Sequence, residues 1–330
     1  MHNPIRNLGE RGLLKIFQEI VDEGFLPYND DAVGYTLSNE KILIANIDTF
    51  VSTTDAPPNM TPNQMGSKAT VMAISDLAAK GIIPAFTIAS GVFPANFSVE
   101  AATECVKGIQ QESHKYNAKF LGGDTNEGDA IILSVVATGF GSPKNIIKRN
   151  TAKLGDIICT TGLFGKTSCG FRIFLENISA NKQQKEYFKK SIYEPICRVK
   201  EGVLLAESHL VTACIDSSDG LSWSLYELLR GKDKMGIEIT KLPIDSQAYK
   251  FAKEKNLEAL DIAFYGGEEF ELIFTIPEKN LSKLQEYAKQ YEINIYPFGK
   301  ISKKNPGKIM YNENNSLEEI EVKGWEHFKK

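Results

Sequence analysis

Seven aspartates carry the chemical signal in this chain of 330 residues: Asp30 and Asp31, Asp48, Asp76, Asp124, Asp216 and Asp219. Each stands at the end of an apolar strand-like run, inside an apolar segment, or in a glycine-flanked turn. An isolated carboxylate is costly to bury, so acids in such settings need a cation, hydrogen-bond donors or a proton. Hard divalent ions take oxygen ligands, and Mg²⁺ uses one or two carboxylates while keeping water and substrate phosphates. For any single Asp the competing use is an N-cap or a turn.

Asp76 interrupts a segment with little other polar surface, where Ser75 and Asp76 either face a cation or cap a second helix beginning at Leu77. Gly122-Gly123-Asp124-Thr125 joins backbone freedom to a carboxylate, which suits phosphate approach and metal binding but also an ordinary turn. Asp216-Ser217-Ser218-Asp219-Gly220-Leu221 sets two acids three residues apart at a strand-to-helix junction. They can converge on one metal beside phosphate at the helix N-terminus, or simply cap the helix.

Gly162-Leu163-Phe164-Gly165-Lys166-Thr167-Ser168 approaches a P-loop but has Thr160 where the first glycine belongs, so a Gly-rich turn opening a helix is expected instead. The histidines, His2, His114, His209 and His327, occupy no nucleophile or metal-ligand spacing. Trp325, in a terminal aromatic cluster, either packs the chain end or stacks on a heterocycle or cation.

The elements that must position these groups can be read from periodicity. Leu8 to Val21 has helical apolar spacing, with Gly24 as a stop. Ile42 to Ile47 reads as a buried strand delivering Asp48 at its end. Gly66 to Ala79 is apolar nearly all round and predicts a helix buried on most sides. A helix is expected over Ser98 to Tyr116, N-capped by Ser98. Ala130 to Gly139 reads as a strand, and polar Pro143 to Lys153 as a linker. Beyond it, strands are expected at Asp156 to Thr161, Val211 to Ile215, Gly236 to Ile239 and Glu271 to Ile276, with a helix from Ser222 to Leu229. Strands and helices mixed without strict alternation predict α+β domains, divided as 1–149 and 150–330.

Composition bounds the function classes. Hydrophobic residues make up 42% and charged residues 24%, values of an ordinary globular chain long enough for two cores. The net charge of −4 and the absence of a dense basic block argue against nucleic acid. The five cysteines, Cys105, Cys159, Cys169, Cys197 and Cys214, show no paired spacing and read as reduced thiols. No apolar run approaches a membrane span and no signal-peptide core is visible, so a cytoplasmic protein is expected.

Taken in order, Asp30-Asp31-Ala32, Ile47-Asp48-Thr49, Ser75-Asp76-Leu77-Ala78-Ala79, Gly122-Gly123-Asp124-Thr125, Asp216-Ser217-Ser218-Asp219-Gly220-Leu221 and Gly266-Gly267-Glu268-Glu269-Phe270-Glu271-Leu272 resemble the thiamine-monophosphate kinase family. That family shares its superfamily with aminoimidazole ribonucleotide synthetase, selenophosphate synthetase and a hydrogenase maturation protein. The resemblance runs from Leu8-Gly9-Glu10 through Gly324-Trp325.

The resemblance implies a two-domain aminoimidazole ribonucleotide synthetase-like fold. Its N-terminal domain binds ATP and Mg²⁺ and pairs into a homodimer, and its C-terminal α/β sandwich domain completes the cleft. It implies Asp31, Asp48, Asp76, Asp124, Asp216 and Asp219 as Mg²⁺ ligands, with Asp76 and Asp124 central to catalysis. Gly123, Asp124, Arg149 and Ser218 would contact ATP. Asp55, Glu268 and Trp325 would contact thiamine monophosphate, with Trp325 stacked on its rings. The implied reaction is direct in-line transfer to the acceptor's phosphate oxygen.

Three positions depart from the family pattern: Asn29 for Gly, Phe270 for Tyr, and Asn46-Ile47 where Ser or Thr commonly precede the metal-binding Asp. A hydroxyl ligand is lost at Ile47, and Asn46 is the available oxygen in its place. Selenophosphate synthetase would carry a reactive Cys early in the chain, yet none precedes Cys105, and a hydrogenase maturation protein would carry a Cys-bearing tail where Phe328-Lys329-Lys330 stands. An aminoimidazole ribonucleotide synthetase-like activity and a nonenzymatic nucleotide sensor remain as alternatives.

Overall fold

The computed structural model describes residues 4–313 and 316–328, so His2 and the Lys329-Lys330 pair lie outside the described residues. The first half builds helix α1 (Gly9–Phe17), strands β1 (Val33–Thr36) and β2 (Ile42–Val51), helices α2 (Ser52–Asp55) and α3 (Pro62–Ala79), strand β3 (Pro84–Phe93), helix α4 (Val99–Lys115), and strands β4 (Lys119–Glu127) and β5 (Ile132–Gly141). These five strands form one sheet in the order β1-β2-β5-β3-β4, antiparallel except for β3 with β4.

The second half contributes β6 (Asp156–Thr160), α5 (Lys166–Phe174), α6 (Lys182–Tyr193), α7 (Val199–Ser208), β7 (Ala213–Asp216), α8 (Leu221–Leu229), β8 (Gly236–Ile239), α9 (Ser246–Glu254), α10 (Ala259–Phe264), β9 (Leu272–Pro277), α11 (Leu281–Lys289), β10 (Tyr296–Ser302), β11 (Ile309–Glu313) and β12 (Ser316–Ile320). Its seven strands make a second sheet, β12-β11-β8-β10-β6-β9-β7. The architecture is α+β, as the mixed order of elements predicts. Among the described residues no helix is long and apolar enough to cross a membrane.

Helix α3 explains its own composition. Thr61 and Gln64 close a reciprocal capping box, and Pro62 opens the first turn, where a missing N–H does no harm. The helix then runs unbroken to Ala79, so Asp76 lies in its interior and does not cap a second helix. One side packs on β2 and β5, and another meets α7 and β7 of the second half. An α7 residue larger than glycine at Gly202 would bring its Cβ within 2.0 Å of the Ala78 carbonyl oxygen, so the two halves touch backbone to backbone here. A single apolar cluster accordingly spans Ile42, Ile74, Leu77, Leu205, Phe270 and Phe274.

Other expectations shift in detail. Ser98 does cap α4, accepting the Ala101 N–H at 3.1 Å. Strand β2 continues past Asp48 to Val51 because the full stretch pairs with β5, so Asp48 projects from mid-strand instead of a strand end. Gly122-Gly123-Asp124 lies within β4 and forms no turn. Gly123 is required there, since a Cβ would sit 1.6 Å from the Ala89 carbonyl oxygen. The polar segment before residue 153 is anchored by buried Ile146 and Ile147.

Candidate functional site

Three acids from three elements converge. Asp31 precedes β1, Asp76 projects from α3 and Asp216 ends β7, and each offers an oxygen within 4.8 Å of the others. Burial, then repulsion from Asp216, Asp31 and Asp48, raises the Asp76 pKa well above the carboxylate range. Burial, then Asp31, pushes Asp216 up to about 7. Asp216 Oδ2 accepts a 2.7 Å hydrogen bond from Ser75 Oγ, and the Asn46 amide donates to Asp76 Oδ2. The Ser217 hydroxyl is fully buried with no partner among the described residues. An all-oxygen cluster in which Asp76 and Asp216 are pushed up, with an orphaned hydroxyl beside it, suits a hard divalent cation such as Mg²⁺.

The cluster is bounded by two cations, one buried and one partly buried. Lys80, fully buried at the C-cap of α3, pairs with both Asp30 and Asp31 and donates to the Cys214 carbonyl at 3.2 Å. Although burial alone would raise Asp30, Lys80 and two backbone N–H groups bring it below the usual carboxylate range. Asp30 therefore serves Lys80 and is no member of the triad. Arg149 reaches Asp31 at 3.2 Å and Glu227 at 3.6 Å.

Asp48 and Asp219 border an adjoining cleft of about 700 Å³ that also holds Asp55, Ser218, Glu268 and Trp325. Burial raises Asp48 to about 6 despite the Thr49 N–H, and raises Asp219 to about 7 with Glu10 adding repulsion. The Trp325 N–H donates to the Asp219 carbonyl at 3.1 Å, seating the aromatic tail on the acid turn. Arg11 holds the same tail through the Trp325 carbonyl and Glu326, and its guanidinium lies 3.1 Å over the Trp223 ring. Trp325 is 54% exposed and lines the cleft, so it is not packed away.

Asp124 and Gly123 are not joined to this cluster within the chain. Asp124 is exposed on edge strand β4, in register through Ser90 and Ser134 with Thr49. Three strand spacings separate it from β2, roughly 14 Å, and it points to the face opposite Asp48. Ile47, 64% exposed, shares that outward face, so the lost hydroxyl falls away from the triad while Asn46 stays beside Asp76. At the P-loop-like turn, Glu269 Oε1 accepts the Gly165 and Thr167 N–H groups at 2.6 and 3.1 Å. Its carboxylate occupies the place that a phosphate would take at that helix N-terminus.

Sequence reading missed Lys68, fully buried in α3, Lys80, fully buried at its C-cap, and His327, which borders the cleft beside Trp325. Lys68 inside a helix apolar all round, and Lys80 directly after it, carried the same signal as Asp76. His327 had none, because its neighbours come from distant segments.

The family model described as AIR synthase related protein, N-terminal domain, matches residues 29–141. The chain is similar to the thiamine-monophosphate kinase of Nitrosopumilus maritimus, 32% identical over 98% of this chain and 99% of that one. It is 33% identical to that of Pyrococcus horikoshii, over 97% and 96% of the two chains. Among solved structures, tt0281 from Thermus thermophilus superposes with a TM-score of 0.81 at 27% identity, covering 91% of this chain and 95% of that one. AaThiL complexed with AMPPCP and TMP has the same fold, with a TM-score of 0.84 at 21% identity and 99% of each chain covered.

Proposed function

The chain belongs to the thiamine-monophosphate kinase family, and from that premise we propose that it moves the γ-phosphoryl group of ATP onto the phosphate of thiamine monophosphate, with Mg²⁺ as its metal. The observation that supports this most is the adjacency of two unlike surfaces. The triad of Asp31, Asp76 and Asp216 adjoins Asp48 and Asp219, and those two acids border the cleft holding Asp55, Glu268 and Trp325. Phosphates suit one side and an acceptor with a flat heterocycle suits the other. A structure of the same fold, AaThiL, is complexed with AMPPCP and TMP.

Asp31, Asn46, Asp48, Asp76, Asp216 and Asp219 would hold Mg²⁺, and Asp124, on the opposite sheet face of the same chain, would add its carboxylate to that ligand set only from a second copy paired through that face. Bound there, Mg²⁺ would offset the charge of two phosphate-bearing reactants and of the departing bridging oxygen. The acceptor phosphate is already anionic near neutral pH, so no side chain has to remove a proton. One of its oxygens forms the new P–O bond in line as the β–γ bridging P–O bond breaks, giving thiamine diphosphate and ADP. Asp76 and Asp124 serve catalysis by charge placement. Gly123, Asp124, Arg149 and Ser218 contact ATP, and Asp55, Glu268 and Trp325 hold the acceptor, with the indole stacked on its rings.

In this reading residues 1–149 form the ATP, metal and dimerisation domain, and 150–330 complete the cleft. The outward face of the first sheet carries Val33, Tyr35, Ile47 and Leu121, all more than half exposed. That apolar face supports a homodimer paired through it. Because Gly123 and Asp124 lie on β4 at its edge, the pairing and the nucleotide contact would coincide. Five buried, unpaired cysteines suit the cytoplasm.

The test is incubation with ATP, MgCl₂ and thiamine monophosphate, followed by chromatographic separation. Stoichiometric thiamine diphosphate and ADP are expected. ATP consumption without thiamine diphosphate would refute the assignment.

A further inference from the structure

Lys68 lies in α3, fully buried, and bonds to two residues that line the cleft. Its ammonium donates to the Asp55 carbonyl at 2.7 Å and to Glu268 Oε2 at 2.7 Å. These partners line the cleft from distant segments: Asp55 ends α2, and Glu268 belongs to the turn before β9. Each partner is tied again elsewhere. Asp55 Oδ2 accepts the Val51 N–H at 2.6 Å, while the Glu268 N–H donates to the Ser218 carbonyl at 2.6 Å.

Glu268 sits at φ 63°, a left-handed conformation that a side-chain-bearing residue keeps only where its surroundings fix it. Lys68 is one such anchor. It also divides the carboxylate into two unlike oxygens. Oε2 is occupied by the ammonium, whereas Oε1 has no hydrogen bond among the described residues and belongs to a side chain lining the cleft. A carboxylate already paired with a buried cation is an acceptor for a neutral N–H donor more than a site for a second positive charge.

We propose that Lys68 is a positioning residue for the acceptor, holding Glu268 so that its one free oxygen receives the amino group of the aminopyrimidine. This rests on the reading of the cleft as the thiamine monophosphate site. Lys68 contacts neither reacting phosphate; it acts through Glu268 and the Asp55 turn.

The experiment compares the wild type with Lys68→Met, Glu268→Gln and the double variant. It measures kcat and KM for each substrate, near-ultraviolet circular dichroism for folding, and turnover of oxythiamine monophosphate, which lacks the amino group. Lys68→Met is expected to raise KM for thiamine monophosphate about tenfold or more, the worth of a charge-assisted hydrogen bond, with KM for ATP nearly unchanged. The double variant is expected to match Glu268→Gln, since both substitutions break one pair. The wild type is expected to reject oxythiamine monophosphate, and Lys68→Met to lose much of that discrimination.

A folded Lys68→Met with unchanged acceptor KM overturns the proposal, as do losses that multiply in the double variant. Should Lys68→Met fail to fold, the double variant leaves no unpaired charge and carries the comparison. A wild type indifferent to the amino group overturns the proposal without any variant. If the wild type makes no thiamine diphosphate at all, the kinase reading falls and the assignment of Lys68 with it.

Discussion

The Ser75 hydroxyl donates a 2.7 Å hydrogen bond to Asp216 Oδ2, joining α3 of the first half to the end of β7 in the second. Ser75 is fully buried, so the bond is not shared with solvent. In Ser75→Ala the carboxylate loses its donor while staying buried, which costs about 1–3 kcal/mol. Thermal unfolding should report that loss. Mg²⁺ titration should show weaker binding, because Asp216 is no longer held toward Asp31 and Asp76.

Asp76→Asn separates the two roles of the acid cluster. Turnover is expected to fall by at least roughly 100-fold, the scale seen when one preorganised electrostatic group is removed. In EDTA the variant should melt higher than the wild type, since a carboxylate raised by burial and by three like charges is gone. Added Mg²⁺ should stabilise the wild type more than the variant. Equal activity, or a lower melting point in EDTA, would contradict the metal assignment.

The outward sheet face is expected to pair two copies. Leu121→Asp places a charge on a residue that is 61% exposed in the single chain. Light scattering after size exclusion should change from dimer to monomer, and activity should fall with it. A wild type that elutes as a monomer would remove the basis of this expectation.

Glu269 offers a pH test away from the metal cluster. Burial raises its carboxyl to about 7 despite Lys166 and two backbone N–H donors. A carboxyl raised in the folded state contributes stability below its unfolded pKa, and that contribution is lost as pH rises through about 7. Glu269→Gln can keep both N–H bonds through its Oε1 without the titration. The stability of the wild type relative to Glu269→Gln should therefore fall between pH 5 and pH 8, measured by denaturant unfolding. A flat difference would show that Glu269 is ionised throughout.

Much of this fold was legible because its signals are local. The all-round apolarity of α3 announced a helix enclosed on several sides, and the Asp216-Ser217-Ser218-Asp219 junction lies where strand meets helix. Asp31, Asp76 and Asp216 were each visible as acids in apolar settings. Their convergence was not, since it depends on how α3 packs against both sheets. Strand β4 was misread at Gly122-Gly123 because glycine signals a turn and a close backbone approach alike, and only the neighbouring Ala89 carbonyl distinguishes them. Asp124 belongs with the other acids by type yet stands on the opposite face, a separation that a one-residue change of strand parity creates. Lys68 and Lys80 escaped notice because lysine in a helix or at its end ordinarily reads as a solvated position.

Helix α3 lies in the shared interior of both halves, touching β2 and β5 on one side and α7 and β7 on the other. Neither half can melt while leaving the other's interior intact, so calorimetry should record a single cooperative peak for a chain that carries two sheets. The same sharing leaves little freedom for a hinge between the halves. Nucleotide and acceptor then enter a cleft whose walls are already set, and the ordering cost of binding falls on the ligands instead of the polypeptide.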